Sequence, residues 1–386
     1  MHLTQKLVPQ KFLLSLLEVP DFAALKDLLY TVPEGENSEG VSNFASALTN
    51  RTVERLRLPN DLLRQYDENI RRHTRFINER RSEPIQWKYF QYLALLFTEI
   101  YLDRFFHDPH SLCDALNLIL LEQNVDLPNS EHLPLYTIDD LTKLAFLQAT
   151  GSGKTLQLHI NILQYLHYRR QAGERLPDRV ILLTPNEGLS HQHLAEATLS
   201  GFEAEIFNKD KPSGQARLGV QVDIIDIHKL EDESGDKTVA VDSFEGNNLL
   251  LVDEGHRGAS GVDWMEKRAK LCSGGFSFEY SATFTQAVNA ASGAKRKELE
   301  ALYARCILFD YSYKWFHGDG FGKEYAKAKY VDSRKAGQGF DGDYHREMFK
   351  ADLNDQLQLD HNGVEVKAFL KGPFRYYTEL YCRLWE

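Results

Sequence analysis

Cysteine is scarce and scattered in this chain of 386 residues: Cys113, Cys272, Cys306 and Cys382 form no C-x-x-C pair and no cluster with histidine at metal-ligand spacing. A disulfide scaffold and a structural zinc site are therefore not indicated, and a reducing, cytoplasmic setting is expected. Long apolar runs are missing too. The most apolar window, Trp87 to Phe106, is broken by Lys88, Glu99, Asp103 and Arg104, and the N-terminus shows no charged stretch leading into a small-residue cleavage site. Neither a membrane span nor a secretory signal is expected. Nor is there an excess of positive charge. Lys plus Arg total 45 against 56 for Asp plus Glu, a net charge of -11, which excludes a protein that coats nucleic acid by bulk charge and leaves only a local basic groove.

What remains is a globular composition, 42% hydrophobic and 26% charged, with room for two or three domains. Up to about residue 140 the apolar spacing is helical, with periodic stretches at Phe12 to Tyr30, Thr52 to Arg81 and Trp87 to Phe106 and a Gly/Glu/Ser/Asn linker at Pro33 to Ser42. From Lys143 the texture changes. Short runs apolar on both faces (KLAFLQA, RVILLTP, GVQVDIIDI, NLLLVDE, GFSFEYSAT and later ARCILFDYSY) alternate with helical lengths, which predicts an α/β domain with a mainly parallel sheet flanked by helices, behind a helical accessory region. The boundaries expected are residues 1–86 for the accessory region, 87–323 for the α/β domain and 324–386 for a C-terminal tail.

The sharpest signal is Ala-Thr-Gly-Ser-Gly-Lys-Thr, residues 149–155, placed between an expected strand and an expected helix. In such a loop Ala149, Thr150, Gly151, Ser152 and Gly153 point successive backbone N–H groups at phosphate oxygens, and the positive end of the helix reinforces them. Lys154 reaches the β- and γ-phosphates and the Thr155 hydroxyl holds Mg²⁺, so ATP and Mg²⁺ are the expected cofactors. Gln148 stands where a smaller residue is usual. The complementary half of such a site is a carboxylate at the end of a buried strand, and Leu-Leu-Leu-Val-Asp-Glu supplies it, with Asp253 lying 99 positions after Lys154. Asp253 holds the metal and Glu254 orients and deprotonates the attacking water. Taken alone, the two acids could merely cap a strand end.

These blocks resemble superfamily 2 helicases and translocases, closest to the type III restriction enzyme res-subunit branch of the DEAD/DEAH-box proteins. Ala149 to Thr155 is similar to motif I, Asp253 to His256 to motif II, and Ser281, Ala282 and Thr283 to motif III. The resemblance implies a RecA-like P-loop NTPase domain that hydrolyses ATP while moving on nucleic acid, duplex DNA first and RNA still open. It implies that His256 and the Ser281–Thr283 hydroxyls couple the nucleotide to the polymer. It also implies that the turn at Thr184 and Pro185 offers backbone to a phosphate, as motif Ia does, and that Gln91, in a segment like the glutamine motif, reads adenine. Gln91 lies 63 residues before Lys154, farther than is usual for that role.

A motor needs two such domains, and only 103 residues follow Thr283. A second domain or a partner subunit is therefore expected to come from elsewhere, and the isolated chain is expected to hydrolyse ATP weakly, since a missing arginine finger can cost ~10³ or more in rate. A different class stays open: a non-motor ATP-binding adaptor that reports nucleotide state to a partner. The arginine-rich stretch Arg71 to Arg81 reads first as a solvated helix face and second as a phosphate-tracking strip.

Overall fold

Four of the expected strand sequences bury every residue after the first or before the last, and apolar side chains on both faces oblige the sheet to be covered on both sides. A computed structural model shows that sheet; it describes residues 2–51, 57–125, 127–207, 221–231, 239–240, 244, 246–254 and 268–321. Seven strands, β1 (Lys143–Gln148), β2 (Arg179–Thr184), β3 (Ala204–Ile206), β4 (Val222–Asp226), β7 (Asn248–Asp253), β8 (Phe276–Ser281) and β9 (Ile307–Tyr311), run in the order β3-β4-β2-β7-β8-β1-β9. Every neighbouring pair is parallel. Two short strands, β5 (Leu230–Glu231) and β6 (Val239–Ala240), pair apart from it.

Ten or more residues separate most of these strands because a parallel connection needs a crossover. Helices make it: α7 (Lys154–Gln171) after β1, α8 (Glu187–Leu199) after β2, then α9 (Phe284–Ala290) and α10 (Gly293–Cys306) between β8 and β9, with α11 (Tyr313–Gly318) after β9. All-parallel strands bring every C-terminal end to one edge. Gln148, Thr184, Asp253, Ser281 and Tyr311 therefore share it, with Leu147 paired to Ser281 and Asp253 paired to Tyr280.

Before the sheet come α1 (Val8–Leu16), α2 (Phe22–Leu29), α3 (Asn43–Thr49), α4 (Asn60–Asn78), α5 (Tyr89–His107) and α6 (Pro109–Val125). They form one unit with the sheet, residues 1–324. α5 is buried from Tyr89 to Leu102 except for the half-buried Gln91, as befits a helix wedged between α7 and β9. α1 lies on β9, where the Gln10 carboxamide accepts the Asp310 N–H at 2.9 Å and so occupies a donor near the sheet's outer edge. The tail expected at 324–386 and the candidate His256 lie outside the described residues.

Candidate functional site

Residues 149–153 turn the chain from β1 into α7. Two of them need a conformation that a side chain disfavours: Gly151 has φ 86° and Gly153, the cap of α7, has φ 89°. The loop is anchored at its start by the Ala149 N–H, which donates to the Tyr311 carbonyl at 3.0 Å, and folded by Ser152 N–H to Ala149 O at 3.2 Å. Thr150 and Gly151 face solvent, whereas Ser152 is buried and Thr155 half-buried. Lys154 lies back along the loop, its ammonium 3.3 Å from the carbonyls of both Gln148 and Ala149. Burial lowers its pKa, and the nearby Glu254 and Asp253 carboxylates pull the other way. A half-desolvated ammonium held on neutral carbonyls, at a helix start rich in N–H donors, is built to exchange them for anionic oxygens.

Gln91 is part of this site despite its distance in sequence. It sits in the first turn of α5, where its Oε1 accepts the Lys88 N–H at 2.9 Å, while its Nε2 donates to the Ser152 carbonyl at 2.8 Å. A Cβ built on Gly153 would fall on that Nε2, so any larger residue there would push the carboxamide off the Ser152 carbonyl, in addition to the strain at φ. Gln148, at the place expected to hold a small residue, is fully buried with no partner for its carboxamide among the described residues.

Across β8, β7 ends in the two acids. Asp253 Oδ1 accepts the Glu254 N–H at 3.0 Å, and Oδ2 lies 3.0 Å from Nε2 of His193 on α8. Glu254 has φ 54°, a left-handed conformation that costs a non-glycine residue about 1 kcal/mol or more and turns the chain sharply at the strand end. Between the acids and the loop, β8 ends in Ser281, whose Oγ accepts the Thr283 N–H at 3.0 Å and lies 3.4 Å from the Thr283 hydroxyl; Ala282 bridges them.

The turn after β2 carries the candidates Thr184 and Pro185, both buried. The Thr184 hydroxyl is buried against the Ser190 hydroxyl at 2.6 Å and the Ile225 carbonyl at 3.3 Å, and Pro185 is buried and has no N–H to offer. The solvent-facing part of the turn is 186–188, where Asn186 caps α8 by accepting the Leu189 N–H at 3.0 Å. Four arginines of the stretch from Arg71 to Arg81 are engaged within the protein: Arg71 with Asp67, Arg72 with Asn69 and His167, Arg80 with the Thr198 carbonyl, and Arg81, just past the end of α4, with Glu196 and Ser200.

Sequence reasoning missed His193 and the wall behind the loop. Phe90 stacks on Tyr311 at 3.9 Å, Phe316 lies beside Gly151, and the Asp319 carboxylate takes the hydroxyls of Tyr89 and Tyr311 and the Lys26 ammonium. All of these contacts but Tyr311 with Asp319 span well over a hundred positions, so no local pattern announces them. Among the described residues no group of acidic, histidine or cysteine side chains holds a ready metal cage, and no helix is long and apolar enough to cross a membrane. Thr155 and Asp253 suit a cation that keeps most of its water and is completed by phosphate oxygens.

Residues 115–286 match the family model described as type III restriction enzyme, res subunit. That span contains β1, the loop, Asp253 with Glu254, and Ser281 to Thr283; Gln91 precedes it. No curated protein matches the chain. Among solved structures it is similar to the Sulfolobus solfataricus SWI2/SNF2 ATPase core in complex with dsDNA, at 11% identity and a TM-score of 0.28, over 45% of this chain and 41% of that one. The alignment covers less than half of either.

Proposed function

From residues 115–286 as a helicase-superfamily 2 motor domain of the type III restriction kind, we propose that the chain binds ATP with Mg²⁺ at Ala149–Thr155 and hydrolyses it to drive movement along duplex DNA. The observation that carries this is the convergence at one sheet edge of the phosphate loop, Gln91 on the Ser152 carbonyl at 2.8 Å, and the Asp253–Glu254 pair at the end of β7.

The N–H groups of residues 150–155 bind the phosphate chain, and Lys154 leaves its two carbonyls to neutralise charge on the β- and γ-phosphates. Thr155 and Asp253 hold magnesium, which when bound supplies positive charge to the phosphate oxygens. Glu254 orients a water and takes its proton. Gln91 positions the loop through Ser152 and stands where it can accept or donate to a base edge. Ser281 and Thr283, on the strand between loop and acids, pass the nucleotide state on, with His256 as the partner the family pattern assigns.

A chain of net charge -11 grips a polyanion locally, and the exposed start of α8 at 186–188 offers backbone N–H groups for one phosphate. A second RecA-like domain or a partner subunit completes the transition-state charge with an arginine. The isolated chain therefore turns over slowly. Steady-state ATPase with duplex DNA, RNA or neither tests the proposal: a slow rate abolished in Lys154→Ala is expected, and ATP turnover indifferent to Lys154 would overturn it.

A further inference from the structure

We infer that His193 is a positioning residue for Asp253, fixing the carboxylate that takes the magnesium ion; the inference rests on the assignment of Asp253 to the metal. His193 lies two turns into α8, 3% exposed, and meets Asp253 across the β2–β7 pairing with Nε2 3.0 Å from Oδ2. A carboxylate can only accept, so Nε2 is the donor; Nδ1 is buried with no partner among the described residues. The other oxygen, Oδ1, accepts the Glu254 N–H at 3.0 Å. Each oxygen is thus held by one donor and keeps a lone pair for a cation or its water, while rotation of the carboxylate about its own axis is blocked.

The ring itself is rigidly mounted. One turn on, Glu196 and then Ser200 are gripped by Arg81, just beyond the end of α4, at 2.5 Å and 2.7 Å. The Ser200 hydroxyl also meets His159 Nδ1 at 2.9 Å, and His159 belongs to α7, the helix that opens with Lys154. The same scaffold therefore carries both the lysine for the phosphates and the donor that aims the aspartate. The helix that starts at the exposed turn 186–188 ends its reach on the metal carboxylate.

The test uses the full chain and a fluorescent ATP analogue, titrated with MgCl₂ after a metal-free measurement in EDTA. His193→Leu is expected to need about tenfold more Mg²⁺ for half of the metal-dependent gain in binding, with metal-free affinity unchanged. His193→Gln, whose amide nitrogen reaches the Nε2 position, is expected to titrate close to wild type; His193→Asn, too short to reach, is expected to follow His193→Leu. A His193→Leu titration matching wild type would overturn the inference, as would a loss confined to metal-free affinity. Should His193→Leu fail to fold, the Gln and Asn variants decide: equal titrations contradict it. A wild-type chain that binds nucleotide without any gain from Mg²⁺ would instead remove the assignment of Asp253, a result read before any variant is compared.

Discussion

Replacing Gly153 by alanine probes the contact that ties Gln91 to the phosphate loop, and its cost can be worked from two parts. At φ 89° and ψ 23° the added Cβ meets the left-handed penalty of about 1–2 kcal/mol. It also falls 2.4 Å from Gln91 Nε2 and 3.5 Å from its Cδ, so the carboxamide must swing away and give up its 2.8 Å bond to the Ser152 carbonyl. That bond contributes about 1 kcal/mol. The sum, about 2–3 kcal/mol, corresponds to a fall of about 3–4 °C in Tm for a unit of this size. Gln91→Ala alone loses the bond without the clash. In its background Gly153→Ala should cost only the backbone part, so the double variant is more stable than the sum of the singles by about 1 kcal/mol. Urea unfolding of the four proteins measures this directly. Strict additivity would show that Gln91 does not rest against Gly153, and the placement of the glutamine at the nucleotide site would fall with it.

Other outcomes follow from buried charges. Glu99 on α5 accepts Tyr168 Oη at 2.6 Å and Asn69 Nδ2 at 3.0 Å, yet burial raises its pKa from 4.5 to about 7. The folded state holds that proton more tightly than the unfolded one, so its stabilisation is full below about pH 4.5 and fades as pH rises through 7, by about 3 kcal/mol in all. Glu99→Gln should flatten that slope in urea titrations run from pH 4.5 to 7.5; an unchanged slope would refute it. Asp319→Ala strands the hydroxyls of Tyr89 and Tyr311 and the Lys26 ammonium behind the loop, and should cost about 3–5 kcal/mol in unfolding free energy, far more than Asp319→Asn, which still accepts. Arg81→Ala releases Glu196 and Ser200 at the far end of α8 and should lower stability by about 1–3 kcal/mol in a urea melt, with a smaller effect at high salt contradicting a buried network.

The sheet was legible because its strands carry their own signature. Runs such as Val180–Leu183 and Leu249–Val252 are apolar on both faces, and only a doubly covered parallel sheet satisfies that. β3, three half-buried residues at the edge, has no such signature and was not foreseen. The helical stretch expected at Phe12 to Tyr30 divides into α1 and α2, because Glu18 adopts φ 52° and Asp21 caps a new helix. The phosphate loop and the two acids were readable because their chemistry fixes residue types at adjacent positions. Gln91 was named only through its resemblance to the glutamine motif; His193 and Asp319 were not named, since each earns its place through contacts across 60 residues or more, which only the folded chain creates. Thr184, marked by its motif resemblance for the backbone of its turn, has a hydroxyl that turns inward onto Ser190 because β2 ends beneath α8.

The most direct measurement is equilibrium binding of ATP to the 386-residue chain with and without magnesium, in wild type and in Lys154→Ala. Binding strengthened by the metal, and weakened about ten- to a hundredfold by loss of the lysine's charge-assisted contacts, is the result predicted. Equal binding by the two proteins would contradict the phosphate site at Ala149–Thr155.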